Sequence, residues 1–193
     1  MIREQASAEE SRVFVISGPG GVGKSTIAKR LATVVPELEL STSWTTRAPR
    51  PGEDPKAYCF VNRDVFMERV EAGGFLEWAQ FAGNLYGTPI PELTNGVDLL
   101  LEIDVQGARQ VKQIVPNATV ILVVAPSWSS TEARLRERGD DEVAIERRLE
   151  IGRREEAEGR ILADDVVVND DLDATVNEMA SIIAGRRRLL EEG

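Results

Sequence analysis

VFVISGPGGVGKST, residues 13–26, is the stretch from which the fold of this chain can be read. Val13, Phe14, Val15, Ile16 and Ser17 make an apolar, β-branched run, a glycine cluster follows, and the residues from Thr26 to Leu31 have helical character. Strand, tight loop and helix are the setting in which Gly18, Gly23, Lys24 and Ser25 match the phosphate-loop pattern GxxxxGK[ST]. Glycine lets backbone N–H groups turn inward around a polyphosphate, where a Cβ would obstruct the turn or the approach. The helix N-terminus behind the loop adds unpaired donors and partial positive charge. Residues Gly18, Pro19, Gly20, Gly21, Val22, Gly23, Lys24, Ser25 and Thr26 are therefore expected to bind the polyphosphate of a nucleotide. Lys24 would reach the β and γ phosphates, and the Ser25 hydroxyl would join a Mg²⁺ shell.

The rest of the composition narrows the class. At 193 residues with 42% hydrophobic content, a single core with inserted regions is expected. A net charge of −10 opposes nonspecific attraction to nucleic acid or an anionic membrane, so phosphate binding must be local. The lone Cys59 forms no internal disulfide and suits a reducing cytoplasm. The segment before Ser11 is polar and lacks a signal-peptide core, and the apolar run Val120 to Ala125 is too short to span a bilayer. With no histidine anywhere, the chemistry must proceed without an imidazole base.

Beyond the loop, Ile27, Leu31 and Val34 at helical spacing are expected to face the core before Pro36 ends the helix. Ser41 to Pro51 is polar and proline-broken, with Arg47 and Arg50 beside Ser43, Thr45 and Thr46. Two guanidinium forks there suit a phosphate dianion, and an ordinary solvated loop fits equally well. Val65, Phe66 and Val70 mark a short helix stopped by Gly73 and Gly74. FLEWAQF, residues 75–81, follows neither period cleanly and sets Glu77 among apolar neighbours. By itself this favours a solvent-facing residue of an edge strand over an acceptor aimed at a ligand. Tyr86, Gly87 and Thr88 read as a turn before Pro89 and Pro91.

DLLLEID, residues 98–104, is an apolar run ending in two acids. A period of two would send Glu102 and Asp104 to one face at the C-terminal end of a parallel strand, where open α/β sheets bind ligands. Glu102 there resembles the acid that holds Mg²⁺ through water in phosphate-loop proteins. A helix from Gln106 to Val115, a strand from Val120 to Ala125, a strand from Val166 to Val168 and a helix carrying Leu172, Val176, Met179 and Ile183 complete a repeated strand-helix order. That order predicts a doubly wound parallel sheet between two helical layers. Arginines and acids crowd together from Arg134 to Arg160, and spacing alone does not separate phosphate ligands from solvated surface.

Taken together, GPGGVGKST (18–26), STSWTTRAPRPGE (41–53), FLEWAQFAGNLYGT (75–88), LEIDVQGA (101–108), RLRERG (134–139) and VVVNDD (166–171) make the chain resemble the guanylate kinases from about Val13 to Ile183. The resemblance implies an α/β phosphate-loop fold with a three-layer core near 11–40, 93–128 and 158–193, a GMP-binding insertion near 41–92 and a lid near 129–157. It implies ATP-dependent phosphorylation of GMP, and of dGMP, with Mg²⁺ and no nucleic-acid or membrane partner, by a monomer or a homo-oligomer. Arg47, Arg50, Tyr58 and Tyr86 would grip the GMP phosphate, with Ser43, Glu77, Thr88 and Asp104 around the guanine. Arg134, Arg138 and Arg148 would meet phosphate from the lid, and Asn169 would lie near the adenine. Lys24, Arg47, Arg138 and Arg148 are then the catalytic set, and Ser25 and Glu102 the metal set.

This chain departs from the common pattern at Gly20, Cys59, Leu85, Thr88 and Glu102, in a shorter connection from Thr88 to Glu102 and in a lid one residue tighter between Arg138 and Arg148. A ribose bisphosphate phosphokinase on the same scaffold would have no use for a guanine-reading carboxylate. A non-catalytic phosphoprotein-binding module would not need Gly18, Gly23, Lys24 and Ser25, and a signalling GTPase would need an NKxD-type motif that the sequence lacks.

Overall fold

The computed structural model of the chain describes residues 11–50, 52–91 and 96–191. The polar N-terminal stretch and Pro51, both read above, lie outside the described residues.

The strand that leads into the glycine cluster, β1 (Val13–Ser17), is buried along its whole length. A strand without a polar face must lie inside a sheet covered on both sides. It pairs in parallel with β7 (Asp98–Glu102) and β8 (Thr119–Val124), while β2 (Leu38–Leu40) and β9 (Asp165–Val168) flank these in the order β2-β7-β1-β8-β9. Phe14 and Ile16 point into one core with Ile27 and Leu31 of α1 (Lys24–Val34) and Met179 and Ile183 of α6 (Leu172–Glu191). Val13 and Val15 point into the other, against Ala108 and Val111 of α3 (Val105–Ile114). Three layers result, as the alternation of strands and helices predicts. Val34 is the exception to the expected stripe: it is 51% exposed, because the buried face of α1 runs through Ile27, Ala28 and Leu31.

The second sheet has the order β4-β3-β6-β5, from β3 (Trp44–Thr45), β4 (Cys59–Phe60), β5 (Phe75–Phe81) and β6 (Asn84–Pro89). Here Tyr86, Gly87 and Thr88 are strand rather than turn. The reversal lies earlier, at Ala82 and Gly83, whose φ values of 48° and 84° suit a two-residue type I′ hairpin closed by the Phe81–Asn84 pair. Gly87 is small for a packing reason, since a Cβ would come within 3.0 Å of Phe66 and of Phe75. Phe66, on α2 (Arg63–Glu71), is fully buried and stacks on Phe75 at 4.6 Å. Truncating it would cost about 3–5 kcal/mol.

At the start of β7, buried Asp98 accepts from the Arg12 backbone N–H at 2.8 Å and from Arg187 Nε at 2.7 Å. That ties α6 to the start of β7. Two further helices, α4 (Trp128–Glu137) and α5 (Glu142–Leu162), lie between β8 and β9 in the chain. Among the described residues no helix is long and apolar enough to cross a membrane.

Candidate active site

The phosphate loop emerges at the C-terminal end of β1, and the parallel register fixes what surrounds it. Ile16 pairs with Glu102, which sets the end of β7 beside the loop mouth. The loop is held by close packing. Gly18 and Gly23 have φ of 140° and 97°, and a Cβ on Gly23 would lie 2.6 Å from Asn169 Nδ2. Lys24 Nζ donates to the Gly18 and Pro19 carbonyls at 2.5 and 2.9 Å, curling the side chain over the loop. Burial holds its pKa below the usual lysine value, opposed by the negative charges of Glu102, Glu155 and Asp104.

Lys24 and Ser25 line a cleft of about 360 Å³. From the insertion the cleft also receives Ser43, Arg50, Tyr58, Glu77 and Tyr86; from the core it receives Glu102 and Asp104, and from α4, α5 and the turn between them Arg134, Arg138, Arg148 and Glu155. Most of the residues singled out in the sequence thus meet in one place, although they are spread over more than a hundred positions of chain.

In the same cleft, Glu77 is only 4% exposed. β5 is indeed an edge strand, but the pairing shifts between Phe75 and Glu77 and the carboxylate faces inward. Its Oε1 accepts from the Thr88 hydroxyl at 2.6 Å and from the Thr88 N–H at 3.0 Å. Its Oε2 lies where a Cβ on Gly107 would be, 2.5 Å away, so only glycine at that point of α3 leaves room for it. Burial pushes Glu77 up to about 7, with the Asp104 carboxylate adding to the rise and the Thr88 bonds opposing it. Asp104 is not carried to the cleft by strand periodicity, since β7 ends at Glu102. It is the N-cap of α3, accepting from the Gly107 N–H at 2.8 Å, and burial raises its pKa also.

Guanidinium groups converge on the cleft as well. Burial lowers the Arg50 pKa, and the neighbouring charges of Arg138, Arg47 and Arg148 lower it further. Arg148 hangs over the phosphate loop, with Nη1 3.7 Å from the Cβ that Gly20 lacks. Arg138 and Arg148 share the Asp140 carboxylate, which keeps two like charges side by side. Arg47 stands behind the lining, bonded bidentately to Glu53 at 2.7 and 2.8 Å and lying 5.5 Å from the Tyr58 ring centre. Its guanidinium holds the Glu53 carboxyl down at about 2.

Several expected contacts lie outside the lining. Thr88 reaches the cleft only through Glu77. Pro19 lines a separate, smaller cavity, and Val22 turns its side chain into the core. Asn169 is buried, donating to the Val22 carbonyl at 2.7 Å, while its own carbonyl accepts from Arg134 at 2.8 Å. It braces the back of the loop.

Conversely, Glu155 is indistinguishable in the sequence from the acids around it, yet it lines the cleft and burial pushes it up to about 7. The signal that could have found it is the pair Gly152 and Gly159. Glycine costs about 1 kcal/mol inside a helix and marks close packing on one face.

The metal set can be tested on its donor chemistry. The Ser25 hydroxyl donates to Glu102 Oε1 at 2.5 Å, so two hard oxygens already share one point beside the loop. Among the described residues no group of three or more His, Cys, Asp or Glu side chains is arranged to hold a metal. Few protein oxygens, completed by water and phosphate, is the ligation that suits Mg²⁺, and the site fits it.

Comparison with known proteins shows the family. The family model described as guanylate kinase matches residues 10–186. The chain belongs to the guanylate kinase family. A guanylate kinase of Prochlorococcus marinus (strain MIT 9313) is 47% identical over 184 residues, covering 92% of this chain and 97% of the relative. One from Rubrobacter xylanophilus is 44% identical over 188 residues, covering 94% and 96%. Among solved structures, the guanylate kinase of Anaplasma phagocytophilum superposes with a TM-score of 0.76 at 30% identity, covering 94% of this chain and 89% of that one.

Proposed function

We propose that this guanylate kinase transfers the γ phosphoryl group of ATP to GMP, giving ADP and GDP. The observation that carries the reading is that the buried Glu77, bonded to Thr88, lines the same cleft as Lys24. Guanine presents N1–H and N2–H₂ as donors, which an ionised carboxylate accepts. Adenine would turn an N1 lone pair against the same oxygen. Leaving such a site unpaired typically discriminates by roughly a hundredfold to a hundred-thousandfold. A ribose phosphokinase or a phosphoprotein-binding module would have no use for that pair.

In the transfer, an oxygen of the GMP phosphate attacks the γ phosphorus in line. The bond to the β–γ bridging oxygen breaks, and its electron pair leaves on ADP. The GMP phosphate is already largely dianionic near neutrality, its second pKa being about 6, so no general base is needed. This accords with a chain that has no histidine. What the protein supplies is position and positive charge. Lys24 and the loop amides would hold the ATP phosphates, Arg138 and Arg148 the migrating group, and Arg50, with Tyr58 and Tyr86, the GMP phosphate. Arg47 would join them by exchanging Glu53 for phosphate. Ser43 and Asp104 would complete the guanine pocket, Arg134 would meet the ATP phosphates from the lid, and Asn169 would lie near the adenine. Ser25 and, through water, Glu102 would hold Mg²⁺, which would supply positive charge against the ATP phosphates.

Residues 41–92 are proposed as the moving GMP-binding unit and 129–157 as the lid, closing so that ATP is not lost to water. dGMP carries the same base and phosphate and is expected to serve as a second acceptor. A cytoplasmic place in purine nucleotide supply is proposed with the reaction, and the free thiol of Cys59 is compatible with it. Coupled detection of ADP release with GMP, dGMP, AMP, CMP and UMP tests the reading. Turnover confined to GMP and dGMP is expected; equal rates with AMP would reject the guanine assignment.

A further inference from the structure

Glu155 lies on the face of α5 that turns toward the phosphate loop. Three residues before it, a Cβ on Gly152 would meet Trp128 at 3.1 Å and Pro19 at 3.2 Å. Four residues after it, a Cβ on Gly159 would lie 2.5 Å from Leu122 of β8. Residues three and four apart share a helix face, so these two close approaches pin α5 to the loop and the sheet and fix Glu155 over the cleft. Its side chain lines the same cleft as Lys24, yet Oε2 is enclosed and has no hydrogen-bond partner.

The cations nearby are already committed. Lys24 donates to two backbone carbonyls, and Arg148 is paired with Asp140. Glu102, Asp104 and Glu155 stand near the Lys24 ammonium together with the Arg138 guanidinium, so acids lie beside a loop built for an anion. An acid next to a bound polyphosphate repels it unless a cation lies between them. Mg²⁺ takes few protein oxygens and keeps several waters, and those waters need acceptors. We propose that Glu155 is a positioning residue for the donor nucleotide, its carboxylate accepting a hydrogen bond from a water of the Mg²⁺ that arrives with ATP. The inference rests on the assignment of the phosphate loop to ATP. It adds a role for α5: the nucleotide is selected as its metal complex by a residue of the helix that also carries Arg148.

Calorimetric titration of ADP into the full-length protein without GMP, once in EDTA and once in millimolar MgCl₂, isolates this contact from turnover. In the wild type, Mg²⁺ should tighten ADP. In Glu155→Gln that gain should shrink about tenfold, the loss expected of one charge-assisted hydrogen bond. Affinity in EDTA should be unchanged or improved, since a repulsive charge has gone. Glu158→Gln, at an exposed residue paired with Arg109, should keep the wild-type gain. An undiminished Mg²⁺ gain in Glu155→Gln overturns the proposal. Should that variant not fold, Glu155→Asp keeps the charge and withdraws the oxygen by one methylene. It too must lose most of the gain, and a wild-type gain there overturns the proposal equally. A wild type that binds no ADP in either condition would instead overturn the ATP assignment beneath it.

Discussion

Gly107→Ala would displace a single carboxylate without removing it. The backbone at Gly107 is ordinary helix within α3, so alanine is tolerated there and gains about 1 kcal/mol of helix propensity. The new Cβ would lie 2.5 Å from Glu77 Oε2, 3.0 Å from its Cδ and 3.3 Å from Ile103 Cβ. Ile103 is anchored in the core, so the carboxylate is what yields. To regain ordinary contact at 3.4 Å it must retreat by about 0.9 Å, and a misplacement near 1 Å can cost roughly a hundredfold in rate. The strain of that retreat, about 1–3 kcal/mol, is partly offset by the propensity gain, so the melting temperature should change little. The assay is kcat/KM for GMP at saturating ATP, beside calorimetric ADP affinity. A fall of about a hundredfold in the first with the second unchanged is expected. If GMP turnover stays within about threefold of wild type in a folded variant, Glu77 does not read the base.

Four further outcomes follow from the same structure. Because Glu77 titrates near 7 and must be ionised to accept from guanine, KM for GMP should rise as pH falls below 7, by up to tenfold per unit. The GMP phosphate titrates near 6 as well, so comparison with Glu77→Gln, in which the Glu77 part of the slope vanishes, checks the assignment. The same raised pKa has a stability sign. The folded chain binds the proton more tightly than the unfolded one, so this group favours folding below about pH 4.5 and that contribution is lost as pH rises through 7. Thermal melting of the nucleotide-free protein should show a steeper decline over that interval than Glu77→Gln. Gly23→Ala puts a Cβ 2.6 Å from an Asn169 amide that is itself bonded to the loop, at a φ of 97°. ADP affinity should fall roughly a hundredfold by calorimetry while GMP affinity holds. Asp98→Ala should destabilise by about 3 kcal/mol in urea unfolding without changing KM for either nucleotide. The estimate sits at the low end for a broken buried pair because Arg187 keeps a fifth of its surface in water.

The parts of this molecule that could be read from sequence are those where backbone geometry leaves few choices. Gly18 and Gly23 need positive φ at a strand-to-helix turn, and the uniformly buried β1 and β8 need helices on both sides; the residue types state both requirements openly. Glu77 could not be oriented, because FLEWAQF has large apolar groups on both faces of a small sheet and an irregular pairing where the period would have been counted. Gly87 and Pro89 imitate a turn, but the glycine is there to admit Phe66 and Phe75, a constraint that exists only once the sheet is folded. Arg138 and Arg148 look like their exposed neighbours until Asp140 gathers them. Glu155 owes its place to two glycines packed against residues far away in the chain.

A crystal structure with GMP bound tests the central claim most directly. The account predicts the guanine edge within hydrogen-bond distance of Glu77 and the phosphate between Arg47 and Arg50, with Arg47 released from Glu53. A monophosphate bound elsewhere, or a base turned away from Glu77, would contradict it.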